Sequence, residues 1–127
     1  MITTFRRPLF LEQLLESLSG SSHPIYIWLN GPNDNRDTEL ISDSIKVIER
    51  FKNLRIVDVR LNDTHFSSGD SIASAITWVF LSESCAIILE DDIIPTNLLL
   101  KNTSFLLDHY STALRVGSVL GSNYVPD

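Results

Sequence analysis

Ala86–Ile87–Ile88–Leu89–Glu90–Asp91–Asp92–Ile93–Ile94–Pro95 decides how the rest of the chain is read. Four apolar residues lead into three consecutive acids. The apolar part predicts a short strand, Ala86–Leu89, of the kind buried at the centre of a parallel sheet. Pro95 suits the first turn of a following helix. The acids then fall at the carboxyl end of a central strand, the edge where ligands bind in open α/β sheets. Adjacent carboxylates repel one another, so the triplet needs water or a cation to neutralise it. Alone it is equally a solvated acidic turn. The strand before it favours a divalent-metal site that holds a phosphorylated ligand.

Upstream, strand and helix signals alternate. Ile2–Phe5 fits the end of a first strand, and Pro8 opens a helix carrying Leu11, Leu14, Leu15 and Leu18, with Gly20 as its stop. Ile25–Leu29 is a second strand, followed by the turn-rich Asn30–Gly31–Pro32–Asn33–Asp34–Asn35. Asp37 or Thr38 would cap a helix with an Ile41, Ile45, Ile48 stripe. Arg55–Arg60 is a third strand with Ile56, Val57 and Val59. A polar loop with Asp63 and His65 leads to Ile72, Ala75, Ile76, Val79 and Phe80 at helical spacing. Beyond Pro95, Leu98, Leu99, Phe105 and Leu106 are core candidates of a further helix, and Val116–Leu120 reads as a last strand before Gly121–Ser122–Asn123. The alternation predicts a three-layer α/β/α sandwich with a mostly parallel, Rossmann-like sheet, in which Ile25–Leu29, Ile56–Val59 and Ala86–Leu89 are neighbours.

The 127 residues make one ordinary domain, and at 43% hydrophobic they can bury a core. Ten basic residues against 16 acidic ones, net charge −6, with no Lys/Arg block, speak against a nucleic-acid partner. The single cysteine, Cys85, cannot form an internal disulfide and is expected to be a small buried residue in a reducing compartment. No apolar run nears the ~20 residues of a membrane span, and the Met1 region lacks a signal-peptide core. The expectation is a cytoplasmic protein, with peripheral membrane attachment left open. His23, His65 and His109 lack ligand spacing and read as surface or capping residues. Trp28, in a strand, and Trp78, on an amphipathic helix, read as core rather than sugar-stacking faces.

No G-x-x-x-x-G-K-[ST] or G-x-G-x-x-G loop is present, so a diphosphate would need another charge partner. Mg²⁺ or Mn²⁺ held by the acids provides one, completed by phosphate oxygens and water, and stabilises charge on a leaving phosphate.

The Thr4–Phe5–Arg6–Arg7–Pro8 opening, the leucine-rich helix, Ile27–Trp28–Leu29–Asn30–Gly31 and Ile88–Leu89–Glu90–Asp91–Asp92 together resemble the nucleotide-sugar half of GT-A glycosyltransferases, of family-2-like and N-acetylglucosaminyltransferase I type. The resemblance implies a metal-dependent, inverting transferase that takes a nucleotide-diphosphate sugar, a UDP-sugar first among them, to an unidentified sugar, lipid or protein acceptor. By position it implies Asp92, with Asp91, as the metal ligands. Glu90 and Asp91 match the acids that contact sugar and ribose. Thr4, Arg6 and Arg7 lie where the first strand meets the nucleotide. Asn30 stands where many relatives carry an acid that reads uracil, and an amide offers both donor and acceptor to a base edge. The family's catalytic base and late histidine belong to a second half that has no counterpart here. The chain is therefore expected to be a truncated donor-binding domain, 1–127, that self-associates through an exposed face. A non-catalytic nucleotide-sugar-binding or assembly module and a nucleotidyltransferase are the alternatives. A receiver domain is rejected, because its acidic pair follows the first strand.

Overall fold

The computed structural model describes residues 1–110. Eight elements follow in order: β1 (Ile2–Thr4), α1 (Pro8–Ser17), β2 (Ile25–Leu29), α2 (Asn35–Arg50), β3 (Ile56–Leu61), α3 (Ser68–Val79), β4 (Leu89–Glu90) and α4 (Asn97–Tyr110). The four strands form one all-parallel sheet in the order β3-β2-β1-β4. The expected α/β sandwich is thus present. Val116–Leu120 and Gly121–Ser122–Asn123 lie outside the described residues.

The chain forms two compact units, Met1–Ile94 and one that begins at Pro95. In the first, every residue of β1 and β2 is buried, and side chains alternate between the faces. Tyr26 and Trp28 share a face with Met1 and pack with Ala75 and Val79 of α3. Trp28 donates its indole N–H to Ser71 Oγ at 2.9 Å, and Trp78 packs against Tyr26 and Trp28, so both tryptophans serve the core. Ile25, Ile27 and Leu29 take the opposite face, where α1, with Leu11, Leu14 and Leu15 fully enclosed, packs on α2. An ion pair from Arg50 to Glu12 at 2.8 Å ties these two helices. Right-handed crossovers account for the layers: β1→β2→β3 runs one way with helices on one face, and β3→β4 returns past β1 with α3 on the other.

Helix ends follow local chemistry. Pro8 occupies the first turn of α1, and Gly20, at φ +87°, takes the left-handed conformation just past it. α2 is capped by Asp34, one turn earlier than the expected Asp37 or Thr38. Asp34 Oδ1 accepts the Arg36 and Asp37 amides at 2.9 and 3.0 Å, which leaves Asp37 inside the helix and buried. The buried stripe of α2 is Ser44, Val47 and Ile48, with Ile41 and Ile45 only half-buried. Ser67 caps α3, and Thr96 caps α4 through the Leu99 amide at 3.1 Å, so Pro95 lies just before that helix rather than in its first turn. Within α4, Leu98 and Phe105 are each 66% exposed, contrary to their expected core role. None of the described helices is long and apolar enough to cross a membrane.

The deciding stretch departs from expectation in register and position. The strand is Leu89–Glu90, not Ala86–Leu89, and it pairs with β1 through Ile2↔Leu89 and Thr3↔Glu90. It therefore neighbours β1 rather than β2 or β3, and it is an edge of the four described strands. The physical reason lies in its partner. β1 is only three residues long, so few backbone groups are available to continue a ladder, and an edge strand has one neighbour only. Ile88 is 38% exposed as a result. Phe80 and Cys85, expected in the core, are exposed on the connection from α3 to β4. The other outer strand, β3, likewise leaves Val57 and Leu61 half in solvent.

Candidate functional site

The strand order places the chain's topological reversal between β1 and β4. From β1 the chain leaves toward β2 on one side, and it enters β4 on the other. In sheets of this kind the connecting segments diverge there and open a crevice at the carboxyl ends. A cavity of about 320 Å³ lies at this place, of a size that small-molecule sites occupy. Its walls include Thr4, Arg6, Arg7, Asn30, Glu90 and Asp91.

Asp91 is the joint of the site. It is 5% exposed, and its Oδ2 accepts the Thr4 hydroxyl at 2.8 Å and the Phe5 amide at 3.4 Å. Its Oδ1 accepts Arg7 at 3.3 Å, and the same guanidinium nitrogen donates to Asp92 Oδ2 at 2.8 Å. The bond to Asp92, and then the charge of Asp91, hold Arg7 still more firmly in its charged form. The sequence predicted that the triplet Glu90–Asp92 would need water or a cation; for Asp91 and Asp92 the Arg7 guanidinium is that cation.

Arg6 is turned to a different acid. It donates to Asp37 Oδ1 at 2.9 Å, and the Asn33 amide donates to Asp37 Oδ2 at 3.1 Å. Asp37 is 1% exposed. The Arg6 hydrogen bond holds its carboxyl below the usual aspartate range, against the opposing effect of burial. Asp37 is thus a fixed anchor in the first turn of α2, and it joins β1's carboxyl end to that helix.

Asn30 spends most of its amide on the chain itself. Its Oδ1 accepts the Gly31 and Phe66 amides, both at 3.0 Å, and its Nδ2 donates to the Phe66 carbonyl at 2.9 Å. Asn62 adds a second tie, its Nδ2 donating to the Leu29 carbonyl at 2.8 Å. Residues 62–66 are thereby drawn across the end of β2. Gly31 is required there, because a Cβ would run into the Thr64 carbonyl.

The structure brings Thr4, Arg6, Arg7, Asn30, Glu90 and Asp91 to one cavity; Asp92 stands beside it, joined through Arg7. Sequence reasoning missed Thr3, Phe5, His65, Phe66, Ser68, Ser71 and Ile72, which complete the walls. The Asn-Gly turn and the polar loop were visible, but nothing local tells that the loop folds back onto the turn.

The six charged side chains here, two guanidiniums and four carboxylates (Asp37, Glu90, Asp91 and Asp92), sum to a net charge of minus two. An incoming diphosphate therefore calls for a further cation. Among the described residues no group of three or more His, Cys, Asp or Glu is placed to hold a metal by itself. Mg²⁺ and Mn²⁺ usually take only one or two carboxylates when phosphate supplies other oxygens. Asp92, with its side chain 46% exposed, and the exposed Glu90 fit that need, whereas the oxygens of Asp91 are already engaged. No family model, curated protein or solved structure matches the chain.

Proposed function

We propose that the Met1–Ile94 unit binds a nucleotide-diphosphate sugar, a UDP-sugar first among them, in the cavity between the carboxyl ends of β1 and β4. In this reading it is the donor-binding part of an inverting glycosyltransferase. The observation that carries the reading is convergence: the six residues assigned to the donor by resemblance, Thr4, Arg6, Arg7, Asn30, Glu90 and Asp91, all line one cavity at the topological reversal of the sheet. Arg6 and Arg7 would meet the nucleotide at the end of β1, and Glu90 would contact the sugar. Asp91 keeps Thr4, the Phe5 amide and Arg7 in place. Asp92, with Glu90, would hold the Mn²⁺ or Mg²⁺ that accompanies the diphosphate; when bound, such an ion stabilises the charge of the leaving phosphate.

A non-catalytic nucleotide-sugar-binding module is the second reading. It is favoured by the state of the acids: Asp37, Asp91 and Asp92 are each paired with an arginine, which leaves them poorly suited to take a proton from an acceptor hydroxyl.

Calorimetric titration with UDP-, GDP- and dTDP-sugars, with and without Mn²⁺, tests the first reading. The expected result is binding of the UDP-sugar that strengthens with Mn²⁺; no heat with any of them overturns it. Release of nucleotide diphosphate on adding candidate acceptors separates a transferase from a binding module.

A further inference from the structure

Three rings take part in the cavity wall. They belong to Phe5, His65 and Phe66, and the Phe5 and His65 centroids lie 4.9 Å apart at 40°. His65 Nδ1 lies 3.2 Å from the Gly31 carbonyl oxygen. A carbonyl oxygen only accepts, so in the neutral imidazole this contact places the proton on Nδ1. Asn30 Nδ2 gives one N–H to the Phe66 carbonyl, and its second approaches the same His65 nitrogen only to 3.5 Å, so the shorter Gly31 contact decides the tautomer. Nε2 is then left as an acceptor, on the ring edge turned away from Gly31.

The backbone around the ring is tightly held. Asn30 clasps both the N–H and the C=O of Phe66, the residue next to His65. The Thr64 carbonyl lies against Gly31 so closely that no side chain fits between. Asn30 cannot supply the acceptor here, because its carbonyl oxygen already takes two amides.

Resting on the UDP-sugar reading above, we propose that His65 is a specificity-determining residue: its Nε2 accepts a hydrogen bond from the N3–H of uracil where Phe5 and His65 line the cavity. His65 is exposed in the free protein; a bound base would cover Nε2, and a base without an N3–H would then leave that acceptor without the partner water gave it.

The test pairs ring ¹⁵N NMR of His65 with calorimetry of UDP and N3-methyl-UDP, in the presence of Mn²⁺, on the unmodified protein and on His65→Phe. The phenyl ring keeps a stacking partner for Phe5 but has no acceptor. The expected spectrum is that of the Nδ1–H tautomer, with an Nε2 resonance that moves on adding UDP. The unmodified protein should prefer UDP over N3-methyl-UDP by on the order of 10-fold. His65→Phe should bind UDP more weakly and lose most of that preference. An Nε2–H tautomer, or a preference that survives in His65→Phe, overturns the proposal. Equal binding of both ligands by the unmodified protein removes the role of His65 and leaves the nucleotide reading standing; binding of neither removes both.

Discussion

The Thr4 hydroxyl donates to Asp91 Oδ2 at 2.8 Å across 87 positions of sequence, and so closes the carboxyl ends of β1 and β4 on one another. The bond is buried, and the carboxylate is shared with the Phe5 amide and Arg7. Asp91→Ala should therefore be a stability mutation first. It leaves the Thr4 hydroxyl without its acceptor and Arg7 with Asp92 alone. The expected loss is about 2–4 kcal/mol, in the range for hydrogen bonds to a buried charge. Urea unfolding checks it, and a loss under about 0.5 kcal/mol would mean that the joint does not carry the contact between the strands.

Asp92 makes the opposite prediction. Its side chain is half-exposed and holds one bond to Arg7, so Asp92→Ala should change stability by under about 1 kcal/mol. Yet it removes an exposed carboxylate next to the cavity. Mn²⁺ should then no longer strengthen UDP-sugar binding, as read by calorimetry. Undiminished enhancement by Mn²⁺ would take the cation away from Asp92.

Gly31→Ala should damage both the fold and the site. The atoms its Cβ would meet are backbone atoms of Thr64 and Asn62, which cannot swing aside as a side chain would. A cost of about 1–3 kcal/mol is expected from such overpacking, with a matching fall in UDP affinity as residues 62–66 shift. Affinity equal to that of the unmodified protein would separate this loop from the site.

Arg6 and Asp37 predict a pH dependence. The folded-state pKa of Asp37 is depressed, chiefly by the Arg6 hydrogen bond. Its contribution is therefore fully present above the unfolded value, about 3.9, and is lost as pH falls through the lower folded value. The stability difference between the unmodified protein and Arg6→Gln should be constant from pH 7 to about 5. It should shrink below about pH 4 as the carboxyl takes a proton. Urea midpoints at several pH values measure it, and a gap that widens with acid would refute the assignment to Asp37.

Much of this was legible in the chain because short-range physics writes it there. Pro8 and the leucine spacing of α1, the five apolar residues of β2 and the periodicity of α3 each depend on neighbours a turn or two away. The Thr4–Arg7 and Glu90–Asp91 segments, singled out together in the sequence, do line one cavity, with Asp92 beside it. Local reading failed where a long-range partner decides. Ala86–Leu89 looks like a central strand by composition, but a strand is as long as the partner it pairs with, and β1 offers only Ile2–Thr4. Nothing in Arg6–Arg7 tells that adjacent arginines turn to different acids, Asp37 and Asp91–Asp92. His65 is the exposed residue its isolated position suggested, but only the folding of its loop onto Asn30 and Gly31 sets it at the cavity wall. The sequence by itself determined which segments become helix or strand and which residues carry charge, since periodicity, caps and turns act within a few positions. Only the tertiary structure decided which charges face each other and where the cavity lies, because strand order brings together groups more than eighty residues apart.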